Sequence, residues 1–173
     1  MGRDKALLPW GEGTLLDHAL ARLRQVTADV RILCGPEPRY GDRGVPLVVD
    51  VVQDAGALGG VCSALVALDR PYALILAVDV PEVPPALLAA LVAQAPGWDA
   101  VVPLSAHGPE LLCAVYAKTC LGPVRGRLAA GEFRLTSFWP EVRVRTVGPP
   151  ELVAFGDVDR LFANVNTPAD YQR

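Results

Sequence analysis

Residues 72–81 read YALILAVDVP and carry a clear strand signal. Its first seven residues form an uninterrupted apolar run, which is typical of a β-strand buried on both faces. The run ends at Asp79, and Pro81 follows two residues later. In open sheets with helices on both faces, ligands bind beyond the carboxyl ends of the strands. The stretch therefore predicts an α/β protein in which Asp79 lies at the rim of the sheet.

Segments with helical and strand-like patterns alternate on both sides of this run. Thr14 and Asp17 form a capping-box pattern, and the apolar residues that follow have helical spacing. The patterns predict helices over residues 14–26, 61–68, 85–95 and 121–130 and a last helical turn after Pro168. They predict further strands over residues 30–34, 45–49, 100–103, 111–116 and 142–147. This alternation predicts a three-layer fold with a mostly parallel sheet. No long linker divides residues 1–173, so we expect one domain.

The composition narrows the class of protein. Apolar residues make up 51% and charged residues 20% of the chain, which argues against intrinsic disorder. A formal net charge of -3 argues against a protein that mainly binds nucleic acid, because phosphate backbones require a basic surface. The longest uncharged stretch, residues 83–98, is interrupted by prolines, so we expect no transmembrane span.

The cysteines point to a reducing compartment. Cys34, Cys62, Cys113 and Cys120 form no C-x-x-C pair, and only two histidines are present to complete a zinc site. We therefore expect buried thiols in a cytoplasmic protein.

Two carboxylates are expected at the same edge of the sheet. Asp50 follows the apolar run at residues 45–49, just as Asp79 follows its own run. Carboxylate oxygens suit Mg²⁺ that also carries substrate phosphates, and Asp79 is the better placed for direct metal contact. Either residue alone could equally be a solvated loop residue or a helix cap.

Lysine and asparagine are rare in this chain, so each position is informative. Of the sixteen lysines and arginines, only Lys5 and Lys118 are lysines. An ammonium group fits a phosphate oxygen well. Lys5 could also be an exposed terminal residue. The only asparagines are Asn164 and Asn166, which an extended segment would place on one face. Helix capping could explain one of them.

A glycine-rich turn precedes the second predicted helix. Residues 56–60 read GALGG, and the free backbone N–H groups there could bind an anion. A tight turn between strand and helix explains the same residues equally well. The pattern is neither a P-loop nor G-x-G-x-x-G.

Taken together, these motifs resemble those of MobA-type molybdenum cofactor guanylyltransferases. The residues that carry the resemblance are MGRDK at 1–5, Asp50 before GALGG at 56–60, DVP at 79–81 and NVNTP at 164–168. The resemblance implies a Rossmann-like nucleotidyltransferase fold related to nucleotide-diphospho-sugar transferases. It also implies transfer of GMP from GTP to the terminal phosphate of molybdopterin, with release of pyrophosphate.

The resemblance also assigns a role to each candidate residue. Lys5 would hold the GTP phosphates, Asp50 would contact the nucleotide and Asp79 would hold Mg²⁺, so Lys5 and Asp79 are the expected catalytic residues. Asn164 and Asn166 would face the pterin substrate. The expected partners are GTP, molybdopterin, molybdenum-insertion proteins and the molybdoenzymes that accept the product.

Family members carry a buried strand and a loop of the form L-A-G-G-x-S-x-R before the MGRDK motif. We therefore expect such a segment upstream of Met1. Two alternatives stay open at this point. One is a nucleotidyltransferase with another base or acceptor, such as a cytidylyl or sugar-phosphate enzyme. The other is a non-catalytic domain that binds a nucleotide without turning it over.

Overall fold

The computed structural model describes residues 4–165. Its strands are β1 (Pro9–Trp10), β2 (Gly13–Thr14), β3 (Ile32–Leu33), β4 (Leu47–Val48), β5 (Tyr72–Leu76), β6 (Ala100–Ser105), β7 (Gly108–Pro109), β8 (Cys113–Ala117) and β9 (Val144–Val147). Its α-helices are α1 (Leu15–Leu23), α2 (Gly56–Val66), α3 (Pro85–Ala93), α4 (Leu121–Ala129), α5 (Pro149–Leu152) and α6 (Val158–Leu161). The expectations for Asn166 and for a turn after Pro168 lie outside the described residues.

Helix α1 begins where its capping residues predict. The Thr14 hydroxyl accepts a hydrogen bond from the backbone N–H of Asp17 at 3.2 Å, and Asp17 accepts one from the backbone N–H of Thr14 at 3.0 Å. The buried face of the helix carries Leu16 and Leu20. This predicted helix is confirmed, although it ends at Leu23 rather than residue 26.

The main sheet is mixed. Its strand order is β5-β8-β6-β7, and β9 pairs with the other edge of β6. Strand β8 runs antiparallel to both β5 and β6, whereas β9 runs parallel to β6. The α/β class is confirmed, but the expectation of a mostly parallel sheet is wrong. The segment between β6 and β8 holds a hairpin with β7, and it is too short for the crossover that parallel neighbours require.

Helices cover the two faces of this sheet, which confirms the predicted layers. On one face, Leu58, Val61 and Leu65 of α2 pack with Val102 and Tyr116. On the other face, α3 and the short helices α5 and α6 pack against Val101 and Val115 of the same strands. The helix residues are Leu87, Leu88, Leu91, Leu152 and Leu161. Helices α5 and α6 were not predicted, because each has only four residues.

Strands β3 and β4 form a separate parallel pair, in which Ile32 lies opposite Leu47. A groove of about 390 Å³ separates β3 from β5. Apolar residues of α1 and of the region around α2 line its walls, among them Leu16, Leu20, Ala64 and Leu68.

Two backbone edges face this groove, that of β5 and that of β3, where Ile32 and Cys34 donate their N–H groups towards β4 on the other side. Ala77 donates its backbone N–H to the carbonyl of Leu112, the residue directly before β8, at 2.7 Å. The backbone N–H and C=O groups of the odd-numbered residues of β5 therefore point towards β8. The N–H and C=O groups of Leu74 and Leu76 therefore point into the groove. The groove has the apolar walls and the two backbone edges that another strand would need. The buried strand expected from the resemblance stays a prediction.

The four cysteines are buried thiols, as expected. Within residues 4–165, no helix is long and apolar enough to cross a membrane.

Candidate functional site

The structure brings Lys5 and Asp79 into direct contact. Lys5 Nζ donates to Asp79 Oδ2 at 3.0 Å, and the two side chains are 38% and 25% exposed. Lys5 begins a short 3-10 turn that ends at Leu7, and Asp4 caps this turn by accepting the N–H of Ala6. An ammonium group and a carboxylate therefore lie side by side, partly open to solvent, where β5 ends.

The turn that carries Lys5 is tied to the end of β3. The hydroxyl of Tyr40 donates to Asp4 Oδ2 at 2.6 Å, and Arg39 forms an ion pair with the same carboxylate at 3.5 Å. Arg39 also donates to the carbonyl of Cys34, which follows β3. Burial, followed by the hydrogen bond to Asp4, raises the pKa of Tyr40 to about 12. Residues 4–6 thus bridge the carboxyl ends of β3 and β5.

Asp50 lies at this same edge. Its backbone N–H donates to the carbonyl of Gly35, just beyond β3, at 2.9 Å. The hydroxyl of the buried Ser63 lies 3.3 Å from Asp50 Oδ1 and 2.8 Å from the carbonyl of Gly59, so Asp50 shares its proton with the nearer Gly59 carbonyl. The same hydroxyl accepts the N–H of Val51 at 3.1 Å. The described contacts of Asp50 hold it at the end of β4, on the rim that Lys5 and Asp79 share.

The last described residues approach the same carboxylate. Val165 is buried, and its N–H donates to the backbone carbonyl of Asp79 at 2.8 Å. Asn164, the preceding residue, is exposed. The structure therefore places the backbone next to Asn164 against the backbone of Asp79.

The glycine-rich turn has structural reasons for its glycines. Gly56 has φ +56°, a conformation that side-chain-bearing residues avoid. A Cβ on Gly59 would lie 2.8 Å from the Cβ of Ala55. Helix α2 begins at Gly56, five residues before the predicted start. Residues 56–60 therefore form the first turns of α2, and the expectation of a turn ahead of the helix is wrong.

Comparison with known proteins identifies the family. The family model of the MobA-like NTP transferase domain matches residues 1–142. The chain belongs to this family. It is 34% identical over 170 residues to a protein of Pelotomaculum thermopropionicum named "Probable molybdenum cofactor guanylyltransferase", and the match covers 98% of this chain and 83% of that protein. The resemblance inferred from the motifs is thereby confirmed.

Solved structures agree with the fold of a MobA-like transferase. Molybdopterin-guanine dinucleotide biosynthesis protein A from Archaeoglobus fulgidus superimposes with a TM-score of 0.82 at 21% identity, over 99% of this chain and 88% of that one. Rv0371c from Mycobacterium tuberculosis, in a complex with manganese, superimposes with a TM-score of 0.65 at 22% identity, over 99% and 91% of the two chains.

The donor set of this MobA-like transferase fits a metal that arrives with its substrate. Within residues 4–165, no three His, Cys, Asp or Glu side chains are grouped so that they could hold a metal ion. Mg²⁺ in nucleotide enzymes is commonly bound by one or two carboxylates together with substrate phosphates. The partly exposed Asp79 supplies one such carboxylate, and the adjacent Lys5 supplies a positive charge for phosphate.

Sequence reasoning missed several residues that hold this site together. Asp4 caps the Lys5 turn, and aspartate before a helical turn is a recognisable signal. Tyr40 and Ser63 gave no local signal, because Tyr40 is 36 residues from its partner Asp4 and Ser63 is 13 residues from Asp50. Their contacts become visible only once the strands are assembled.

Proposed function

We propose that this MobA-like transferase moves GMP from GTP to the terminal phosphate of molybdopterin and releases pyrophosphate. The contact between Lys5 and Asp79 at the strand ends carries the proposal. A triphosphate with a divalent cation needs a carboxylate for the metal and a cation for the phosphates, and this pair offers both within 3.0 Å. The curated relative supports the choice of GTP and molybdopterin by its name.

The proposed reaction is a single displacement at the α-phosphorus of GTP. A phosphate oxygen of molybdopterin forms a bond to the α-phosphorus, and the bond from that phosphorus to the bridging oxygen of the β-phosphate breaks. The electron pair of the broken bond leaves with pyrophosphate. Lys5 would bind phosphate oxygens and offset the negative charge that develops during this step. No covalent intermediate with the protein is required.

Asp79 would hold Mg²⁺, which, when bound, neutralises phosphate charge and orients the phosphates. Without ligand, Asp79 and Lys5 neutralise each other. With ligand, each would exchange this partner for the opposite charge on the metal or the phosphate. Asp50 would contact the nucleotide, and Asn164 and Asn166 would face the pterin.

The setting of the proposed reaction is the cytoplasm. The buried, unpaired cysteines support a reducing compartment. Molybdenum-insertion proteins and acceptor molybdoenzymes are the proposed protein partners, because they supply the substrate and take up the product.

The test is GMP transfer from α-labelled GTP to molybdopterin, with Asp79→Asn and Lys5→Met as variants. Removal of one charged group that stabilises the transition state should lower kcat by about 100- to 1,000-fold. Stability should change little, because partly exposed ion pairs contribute about 0–1 kcal/mol. Unchanged turnover in folded Asp79→Asn would contradict the assigned role.

Asp159→Asn is the matched control, because Asp159 is an exposed aspartate in α6. It should transfer GMP at the wild-type rate. Substitution of CTP for GTP, and omission of molybdopterin, separate the proposed activity from a cytidylyl or sugar-phosphate transferase. A wild-type chain that binds GTP but forms no product would instead support a non-catalytic nucleotide-binding domain.

A further inference from the structure

Arg22 is a buried cation on the face of α1 that packs against the sheet. It is only 9% exposed, although arginine is among the residues least often buried. Its hydrogen bonds go to a backbone carbonyl and to a histidine ring, rather than to a carboxylate. Burial lowers the pKa of Arg22, while the charge of Glu82 acts in the opposite direction. A charge buried at such a cost requires an explanation.

The carbonyl that Arg22 binds belongs to the residue directly after Asp79. Arg22 Nη1 donates to the carbonyl of Val80 at 3.3 Å, and this is a fully buried hydrogen bond. The carbonyl of Asp79 itself accepts the N–H of Val165 at 2.8 Å. Two successive carbonyls are therefore hydrogen-bonded to different segments, one to α1 and one to residue 165. Together they fix the backbone from which the Asp79 side chain projects towards Lys5.

His18 completes this arrangement one helical turn earlier on α1. Arg22 Nη2 lies 2.8 Å from His18 Nδ1. Because a guanidinium group only donates, Nδ1 accepts, and the ring proton is on Nε2. Burial and the charge of Arg22 lower the pKa of His18, and Glu82 opposes this shift. The neutral ring, packed edge-on against Trp10 with ring centroids 6.4 Å apart, holds the guanidinium in place.

We propose that Arg22 is a positioning residue for the metal site: by holding the Val80 carbonyl, it keeps the Asp79 carboxylate at the rim, where the nucleotide-bound cation is held. This inference rests on the proposed function, because it gives Asp79 a metal. Groups that orient metal ligands from one shell further out change metal affinity or activity by about 10- to 100-fold when they are removed. Arg22 holds the backbone beside the ligand and so acts through Asp79, without contacting the substrate itself.

The experiment titrates Mn²⁺ in the presence of GTP and follows free Mn²⁺ by electron paramagnetic resonance. Its variants are Arg22→Met, Arg22→Lys and the control Arg24→Met, which changes an exposed arginine at the end of the same helix. Arg22→Met should weaken Mn²⁺ affinity by about 10- to 100-fold. It should raise the Mg²⁺ concentration for half-maximal GMP transfer in parallel. Arg22→Lys, which keeps the charge, should recover part of both losses.

The Mn²⁺ affinity of the control Arg24→Met should stay within about twofold of the wild-type value, because this exposed arginine does not contact the metal site. Folded Arg22→Met with wild-type Mn²⁺ affinity would overturn the inference, as would equal losses in Arg22→Met and Arg24→Met. If Arg22→Met fails to fold, Arg22→Lys is measured instead, and wild-type Mn²⁺ affinity in that variant would overturn the inference. Wild-type protein that binds Mn²⁺ with GTP but transfers no GMP would contradict the proposed reaction alone. Wild-type protein that binds neither Mn²⁺ nor GTP would overturn both proposals.

Discussion

The hydrogen bond between Tyr40 and Asp4 offers a sharp test of how the Lys5 turn is held. Tyr40→Phe removes only the hydroxyl that donates to Asp4 at 2.6 Å. A hydrogen bond to a charged group contributes about 1.5–3 kcal/mol when it is buried. The Asp4 side chain is 30% exposed, and screening by solvent reduces the expected loss to about 1 kcal/mol. For a protein of this size, the loss should lower Tm by about 2–4 °C.

The same variant should change nucleotide binding and the pH dependence of stability. If the Lys5 turn is destabilised by about 1 kcal/mol, the KM for GTP should rise by about fivefold. Because the pKa of Tyr40 is raised from 10.0 to about 12, its contribution to stability is complete below pH 10. It is lost as the pH rises from 10 towards 12, so the advantage of wild type over Tyr40→Phe should shrink across that range.

Thermal melts and a double-mutant cycle with Asp4→Asn measure this coupling directly. Asn at position 4 keeps an oxygen that can accept the N–H of Ala6, and the loss of the ion pair with Arg39 is common to both backgrounds, so the cycle measures how much the bond to Tyr40 depends on the charge of Asp4. Tyr72→Phe in β5 is the matched tyrosine control and should leave the KM for GTP unchanged. A coupling energy near zero, with no change in KM, would refute the reasoning.

Three further predictions concern the surroundings of the site. Ser63→Ala removes the acceptor of the N–H of Val51, a residue that is 53% exposed, so it should cost about 0.5–1.5 kcal/mol in urea unfolding and raise the KM for GTP; an unchanged unfolding midpoint would contradict this. The amides of Leu74 and Leu76 point into the groove beside β5, so in residues 1–173 alone hydrogen exchange should be faster there than at Ile75, which faces β8, and equal protection would show that this edge is paired. Burial raises the pKa of Cys113 to about 12, so iodoacetamide at pH 8 should label this thiol only after unfolding. Mass spectrometry measures the labelling, and labelling of the folded protein would contradict the buried position.

Local patterns predicted the elements and the chemistry of the rim. The apolar run before Asp79 and the capping box at Thr14 specify a strand and a helix through short-range physics alone, and both are present. Residue rarity pointed to Lys5, and the structure places it 3.0 Å from Asp79. The catalytic and binding roles of these residues, and of Asp50 and Asn164, stay predictions.

Pairing between distant segments could not be predicted in the same way. The direction of β8 depends on a short hairpin rather than on its own apolar residues, and it makes the sheet mixed. The bond from Arg22 to Val80 spans 58 positions, and that from Tyr40 to Asp4 spans 36. Such contacts join segments that meet only after α1 and the strands have packed, so periodicity and capping carry no sign of them.

The most direct test of the central claim is a crystal structure with GTP and Mg²⁺ bound. We expect an Asp79 oxygen at about 2.1 Å from the metal, the usual Mg²⁺–oxygen distance. We also expect Lys5 Nζ to have moved from Asp79 to a phosphate oxygen. A bound triphosphate with Lys5 and Asp79 still paired to each other at 3.0 Å and turned away from the ligand would contradict that claim.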